Sequence, residues 1–82
     1  MEDSSWYVYI LRCGDGSLYT GIARDVQARL EAHRSGKGAK YTRGRSPLEL
    51  VYTEQCVTKS EALKRELAIK ALPRAEKEKL FL

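Results

Sequence analysis

Little in this chain could bind a soft metal or be cross-linked. One histidine and two cysteines, Cys13 and Cys56, occur among 82 residues. Neither Cys-x-x-Cys nor His-x-x-x-His spacing is present, so a structural zinc site lacks its ligands and any metal would be held by oxygen. The cysteines lie far apart with no secretion signal before them, which makes free thiols in a reducing compartment the expected state. No apolar run approaches the roughly 20 residues a membrane-spanning helix needs. The segment Met1-Glu2-Asp3-Ser4-Ser5 is a polar, acidic start rather than a basic region followed by an apolar stretch. The expected location is cytoplasmic, with no membrane partner. Proline is scarce too, at two residues, and neither a low-complexity tract nor an internal repeat is present. With 43% apolar and 32% charged residues, the composition is that of a folded protein rather than a disordered tail. A chain this short has room for one modest core, so one domain over residues 1–82 is expected, its core about 6–72 and a short closing helix about 73–82.

What the chain has in excess is positive charge. Fifteen Lys and Arg oppose eleven Asp and Glu, for a net charge of +4 and a pI near 9.2, which favours an anionic partner without identifying it. The excess is local. Between Arg29 and Arg45 the only carboxylate is Glu31, whereas the last third of the chain mixes both signs.

Trp6-Tyr-Val-Tyr-Ile-Leu-Arg-Cys13 is aromatic and β-branched, Gly14-Asp15-Gly16 supplies turn chemistry, and Ser17 to Ala23 resumes strand composition. This predicts a hairpin. If Cys13 lies opposite Ser17, Leu11 faces Tyr19 and Tyr9 faces Gly21, so Tyr9 and Tyr19 share one sheet face. Val8, Ile10, Leu18, Thr20 and Ile22 take the other. Asp25 can cap a helix running to about Ser35 and ended by Gly36, with Val26, Arg29, Leu30 and His33 on one side. A loop or short helical turn over 36–45 precedes a third strand, Pro47 to Thr53, in which Leu48, Leu50 and Tyr52 alternate. Thr58 or Ser60 then opens a helix to about Leu72, whose apolar face holds Ala62, Leu63, Leu67 and Ile69 with Glu66 in its midst. Glu61 projects among Lys64 and Arg65, where a carboxylate needs no explanation. Pro73 ends that helix and can open a last one carrying Leu80 and Phe81 onto the core.

Cutting a phosphodiester requires a water to lose its proton, phosphoryl charge to be neutralised and a leaving oxygen to be stabilised. Glu66 is the most informative candidate, because a carboxylate facing a core needs a cation: a bound Mg²⁺, or an ion pair with Arg29 or Lys70. Arg29 suits the phosphoryl charge, since its fork engages two oxygens together; an exposed helix arginine is the plain alternative. Tyr9 and Tyr19 can orient or deprotonate water only with a cation near enough to help a phenol ionise, and are otherwise strand aromatics. His33 can bond a phosphate or shuttle a proton, or simply pack. Lys37, Lys40, Arg43 and Arg45, with Tyr41 among them and glycines letting backbone approach, form either a phosphate-tracking loop or a solvated basic one. The Gly-Lys-Gly run is no Walker motif.

Together these residues resemble the GIY-YIG endonuclease domain. Tyr7-Val8-Tyr9 and Tyr19-Thr20-Gly21 stand at the two name-giving triplets, Arg29 at the arginine eight residues past the second glycine, His33 at the histidine one turn later, and Glu66 at the glutamate of a later helix. The stretch Gly36 to Arg45 is similar to the short stand-alone bacterial members, and the likeness runs from Trp6 to about Leu72. It implies an α+β fold, a small three-stranded antiparallel sheet flanked by helices, and hydrolysis of DNA with one divalent ion, Mg²⁺ or Mn²⁺. In that scheme Glu66 holds the metal, Arg29 steadies the phosphoryl group, and Tyr9 and Tyr19 orient or activate water. Family members differ over which residue is the base. Tyr7 stands in place of the first glycine, Thr20 at a usually aliphatic position, and the asparagine some relatives carry after the glutamate is missing. No appended recognition domain is expected. The reading is a metal-dependent DNA endonuclease acting on branched, nicked or single-stranded intermediates of repair or recombination. Two others stand beside it: a non-catalytic nucleic-acid-binding module, and a nuclease subunit whose protein partner supplies specificity.

Overall fold

The computed structural model describes residues 5–82; the acidic start, Met1 to Ser4, lies outside the described residues. Strand β1 (Trp6–Arg12) and strand β2 (Leu18–Ala23) form the hairpin, closed by the Cys13 N–H donating to the Ser17 carbonyl at 2.8 Å. Leu11 pairs with Tyr19 and Tyr9 with Gly21, the register the alternation predicts. Strand β3 (Glu49–Cys56) pairs antiparallel with the other edge of β1, giving the order β2-β1-β3. The α+β architecture is the expected one, a three-stranded antiparallel sheet flanked by helices.

Strand β3 starts later and runs further than the expected Pro47 to Thr53. Its length is set by β1: Cys56 pairs with Trp6 at one end, and at the other Glu49 pairs with Arg12, whose Nη2 reaches the Glu49 carboxylate at 2.7 Å. The strand is also bulged. Ile10 opposes Tyr52 while Leu11 opposes Leu50, leaving Val51 as the extra residue. A bulge reverses the alternation beyond it, so Leu48 and Leu50 join the face of Tyr9 and Leu11, and Tyr52 joins that of Val8 and Ile10. The expectation that Leu48, Leu50 and Tyr52 share one face therefore holds only for the two leucines.

Each sheet face has its own core. Tyr9, Leu11, Cys13, Ala23 and Leu48 pack with Leu30 and Val26 of helix α1 (Val26–Arg34). Val8 and Ile10 pack with Ala62 and Ile69 of helix α2 (Lys59–Lys70), and Leu80 and Phe81, following the short helix α3 (Arg74–Glu78), complete that layer. No helix among the described residues is long and apolar enough to cross a membrane.

Asp25 caps α1 by accepting the Ala28 N–H at 3.0 Å. Thr58 and Glu61 cap α2 reciprocally. The Thr58 hydroxyl accepts the Glu61 N–H at 3.1 Å, and the Glu61 carboxylate accepts the Val57 and Thr58 amides at 3.1 and 3.3 Å. Glu61, which pattern alone leaves idle, thus starts the helix. The buried stripe of α2 also differs from expectation. Ala62 and Ile69 are fully buried, but Leu63 and Leu67 are 42% and 66% exposed. Residues 63 and 67 lie about 100° around the helix from 62 and 66, and the small Ala62 lets the helix sit close to the sheet with Arg65 and Glu66 at the margins of contact. Arg65 Nε bridges both Glu54 oxygens at 3.0 and 2.8 Å, fastening α2 to β3.

Replacing Thr58 with alanine removes one half of the capping box. Stability should fall by ~1 kcal/mol, read as a lower urea midpoint with an unchanged slope.

Candidate active site

Tyr9 and Tyr19 stand on the same face of the hairpin, ring centroids 6.3 Å apart. Tyr9 is only 2% exposed because its phenol lies across Gly21. A Cβ on that glycine would come within 2.6 Å of the Tyr9 hydroxyl, so the last position of the second triplet must carry no side chain. The last turn of α1 brings His33 over the pair. Leu30 and Val26 seat the helix, and the imidazole presents its edge to both rings, at 6.0 Å from Tyr9 and 5.2 Å from Tyr19. Tyr9 Oη and His33 Nε2 are 2.8 Å apart. His33 is buried and makes a buried polar contact with Tyr9.

The other imidazole nitrogen is met by a residue that pattern reading misses. Thr42, in the 3₁₀ turn Lys40–Thr42, places Oγ1 2.9 Å from His33 Nδ1. A threonine inside a basic loop offers no sequence signal for such a role. Gly38 makes room for it, since a Cβ there would fall 2.3 Å from Nδ1.

Electrostatics keep this pair neutral. Burial first, then the neighbouring Tyr19, pushes the Tyr9 phenol far above its ordinary value; Arg29 opposes this and Glu66 adds to it. Burial, then the Arg29 charge, pushes the His33 imidazole below its ordinary value. Both shifts penalise the charged form in a desolvated position.

Arg29 is exposed, one turn before His33 on α1, and makes no ion pair among the described residues. The Glu66 side chain is 15% exposed and pairs with Lys70, one turn on, at 3.3 Å. Of the partners open to Glu66, Lys70 is therefore the one it meets. Lys70 is half exposed while Glu66 is largely buried, so the carboxylate is held by a cation at the edge of the solvent. No group of three or more His, Cys, Asp or Glu capable of caging an ion occurs among the described residues. A lone carboxylate suits a hard divalent ion, which keeps several waters rather than demanding an all-protein shell.

The basic loop is clipped to the hairpin. Tyr41 stacks on Tyr19 at 5.8 Å, and the Arg45 guanidinium lies over the Tyr41 ring at 4.4 Å while pairing with Asp15 at the hairpin tip. The Ser17 hydroxyl and amide, and then Arg45, hold the Asp15 carboxyl down at about 2. Arg45 thus serves the fold as well as the positive field. Lys37, Lys40 and Arg43 are exposed, with no ion pair among the described residues.

A tyrosine pair under a histidine, with Arg29 one turn earlier on α1 and Glu66 on α2, is the constellation that this three-stranded sheet and its helices carry. A family model described as the GIY-YIG catalytic domain matches residues 5–79, and the chain belongs to that nuclease family. Its relatives include UPF0213 proteins of Oceanobacillus iheyensis, 56% identical over 96% of this chain and 92% of the relative, and of Staphylococcus epidermidis, 61% identical over 92% of each. Solution NMR structures of similar chains agree with the fold. The UPF0213 protein BH0048 from Bacillus halodurans is 54% identical, with a TM-score of 0.59 over 93% of this chain and 81% of that one. The protein EF2693 from E. faecalis is 46% identical, with a TM-score of 0.65 over 96% and 85%.

The shifted groups imply two pH windows for stability. The folded His33 binds its proton more weakly than the unfolded one, so below its ordinary value of 6.5 the unfolded state holds more protons and stability declines on acidification until the folded value is passed. Asp15, depressed from 3.8 to about 2, contributes stability that is lost between those values. Thermal unfolding followed from pH 8 to 3 should show the first decline in the wild type and a weaker one in His33→Asn.

Proposed function

We propose that this protein is a divalent-metal-dependent DNA endonuclease that hydrolyses phosphodiester bonds. The observation that carries the reading is the Tyr9–His33 contact at 2.8 Å, set where the charges of Arg29 and Glu66 are both felt. A phenol held so far above its ordinary range does not stand ready as a phenolate. It can act by taking a proton from water on its oxygen while handing its own to His33 Nε2, and the depressed imidazole is neutral and able to receive it. Tyr19, less buried and edge-on to the same ring, orients the water from the solvent side. Arg29 engages two phosphoryl oxygens as charge gathers on them. Glu66 is the residue that would hold a divalent ion, Mg²⁺ or Mn²⁺, which when bound would supply Lewis-acid neutralisation of the remaining phosphoryl charge.

Lys37, Lys40 and Arg43 track the strand by its phosphates, which positions DNA without reading its sequence. Recognition by backbone path suits branched, nicked or single-stranded intermediates of repair or recombination, and leaves base specificity to a protein partner.

Cleavage of labelled flap, junction, nicked and single-stranded DNAs with Mg²⁺ or Mn²⁺ tests this. Glu66→Ala and Arg29→Ala should each lower turnover by ~10²–10³-fold, Glu66→Ala should retain DNA binding, and chelation should stop cleavage. Turnover persisting in either variant would mean the site is misassigned, and binding without turnover in the wild type would reduce the protein to a binding module.

Reversing Lys40 and Arg43 together to glutamate should weaken binding to all DNAs alike. If each cation neutralises one phosphate, the slope of log affinity against log salt should shrink by ~2.

A further inference from the structure

Thr42 lies in the loop expected to touch nucleic acid, yet it is 2% exposed and points inward. Its Oγ1 has two neighbours at the same distance, His33 Nδ1 at 2.9 Å and the Ala39 carbonyl at 2.9 Å. A carbonyl only accepts. The single hydroxyl proton therefore goes to Ala39, and the oxygen turns a lone pair to the imidazole. Were the proton given to Nδ1 instead, two oxygens would face each other lone pair to lone pair at hydrogen-bonding distance. The partner that Thr42 wants at Nδ1 is thus an N–H. In a neutral imidazole one nitrogen donates and the other accepts, so Nε2 is left bare and the Tyr9 hydroxyl must donate to it. The chain runs Tyr9 O–H to Nε2, Nδ1–H to Thr42 Oγ1, Oγ1–H to Ala39 C=O. One contact opposes this order: the Ala39 amide donates to Nδ1 at the longer distance of 3.3 Å, a bond that the Nδ1–H tautomer gives up in favour of the two shorter contacts of Thr42.

We propose that Thr42 is a positioning residue that locks His33 as the Nδ1–H tautomer, so that Tyr9 turns an acceptor oxygen, rather than its proton, toward the substrate. The opposite tautomer would have Nε2–H donating to Tyr9, whose own proton would then point outward and repel the water hydrogen it should receive. Because Thr42 is flanked by Lys40, Tyr41 and Arg43, the segment that holds the nucleic-acid backbone also sets the direction of the hydrogen bond at the reacting centre. The role of Thr42 in turnover rests on the nuclease reading above; its effect on the ring does not.

His33 is the chain's sole histidine, so long-range ¹H–¹⁵N correlation spectra of the labelled full chain at neutral pH read its tautomer without ambiguity. The wild type should show a pyrrole-type Nδ1 and a pyridine-type Nε2. Thr42→Ser, which keeps the hydroxyl, should show the same, and Thr42→Val, similar in shape without it, should move toward the Nε2–H form that free histidine prefers. In cleavage assays Thr42→Val should lose ~10²-fold in kcat with KM within about two-fold, and Thr42→Ser should restore kcat. A bare Nδ1 in the wild type overturns the proposal even if Thr42→Val does not fold; so does a tautomer unmoved in Thr42→Val, or a serine variant as impaired as the valine one. If the wild type shows the locked tautomer but cuts no DNA, the nuclease reading falls while the lock on His33 stands.

Discussion

The hydrogen bond between Tyr9 and His33 is the constraint around which the rest of the site is built. It joins the central strand to the end of α1 across 24 positions of sequence, and both partners are buried. A buried hydroxyl or imidazole nitrogen left unpaired costs ~1–3 kcal/mol, so the contact serves the folding of the chain. Two glycines exist to permit it, Gly21 beneath the phenol and Gly38 beside the imidazole. The burial that makes the bond costly to lose also holds both groups in their neutral forms, which is the condition under which a proton can be passed along them rather than stored on one.

The sheet separates this chemistry from its support. One face meets α1 and carries Tyr9, Tyr19 and His33, while the other meets α2 and α3 through Val8, Ile10, Ala62 and Ile69. On α2, Ala62 and Ile69 fasten the helix to the sheet, and Glu66, between them in the same stripe, pairs with Lys70. The Arg65 fork on Glu54 fixes the rotation of that helix, and with it the direction in which the glutamate points. The bulge at Val51 contributes on the opposite side, turning Leu50 toward the Tyr9 layer and Tyr52 toward the supporting one.

Much of this was legible in the sequence because it is local or periodic. The alternation of Trp6 to Cys13 and of Ser17 to Ala23, joined by a turn of known length, was enough for the hairpin register and for placing both tyrosines on one face. Asp25 and Thr58 announced their helices through cap chemistry. What was not legible depends on partners far along the chain. The end of β3 is set by pairing with β1, and its bulge by a register shift that no pattern in Pro47 to Thr53 encodes. The exposure of Leu63 and Leu67 follows from how closely Ala62 lets α2 approach. Thr42 reads as an ordinary loop residue until folding sets it against His33, and Arg45 as a free cation until Asp15 and Tyr41 claim it.

The clip that Arg45, Tyr41 and Asp15 make has a consequence for how such a chain diversifies. With Thr42 buried and Tyr41 and Arg45 clipped to the hairpin, the outward side chains at 37, 40 and 43 carry no packing duty. Drift at those three surface positions can redistribute surface charge while the Tyr9–His33 pair and the stability of the scaffold go untouched. Descendants of one ancestor can therefore diverge in the charge they display long before they diverge in the fold beneath it.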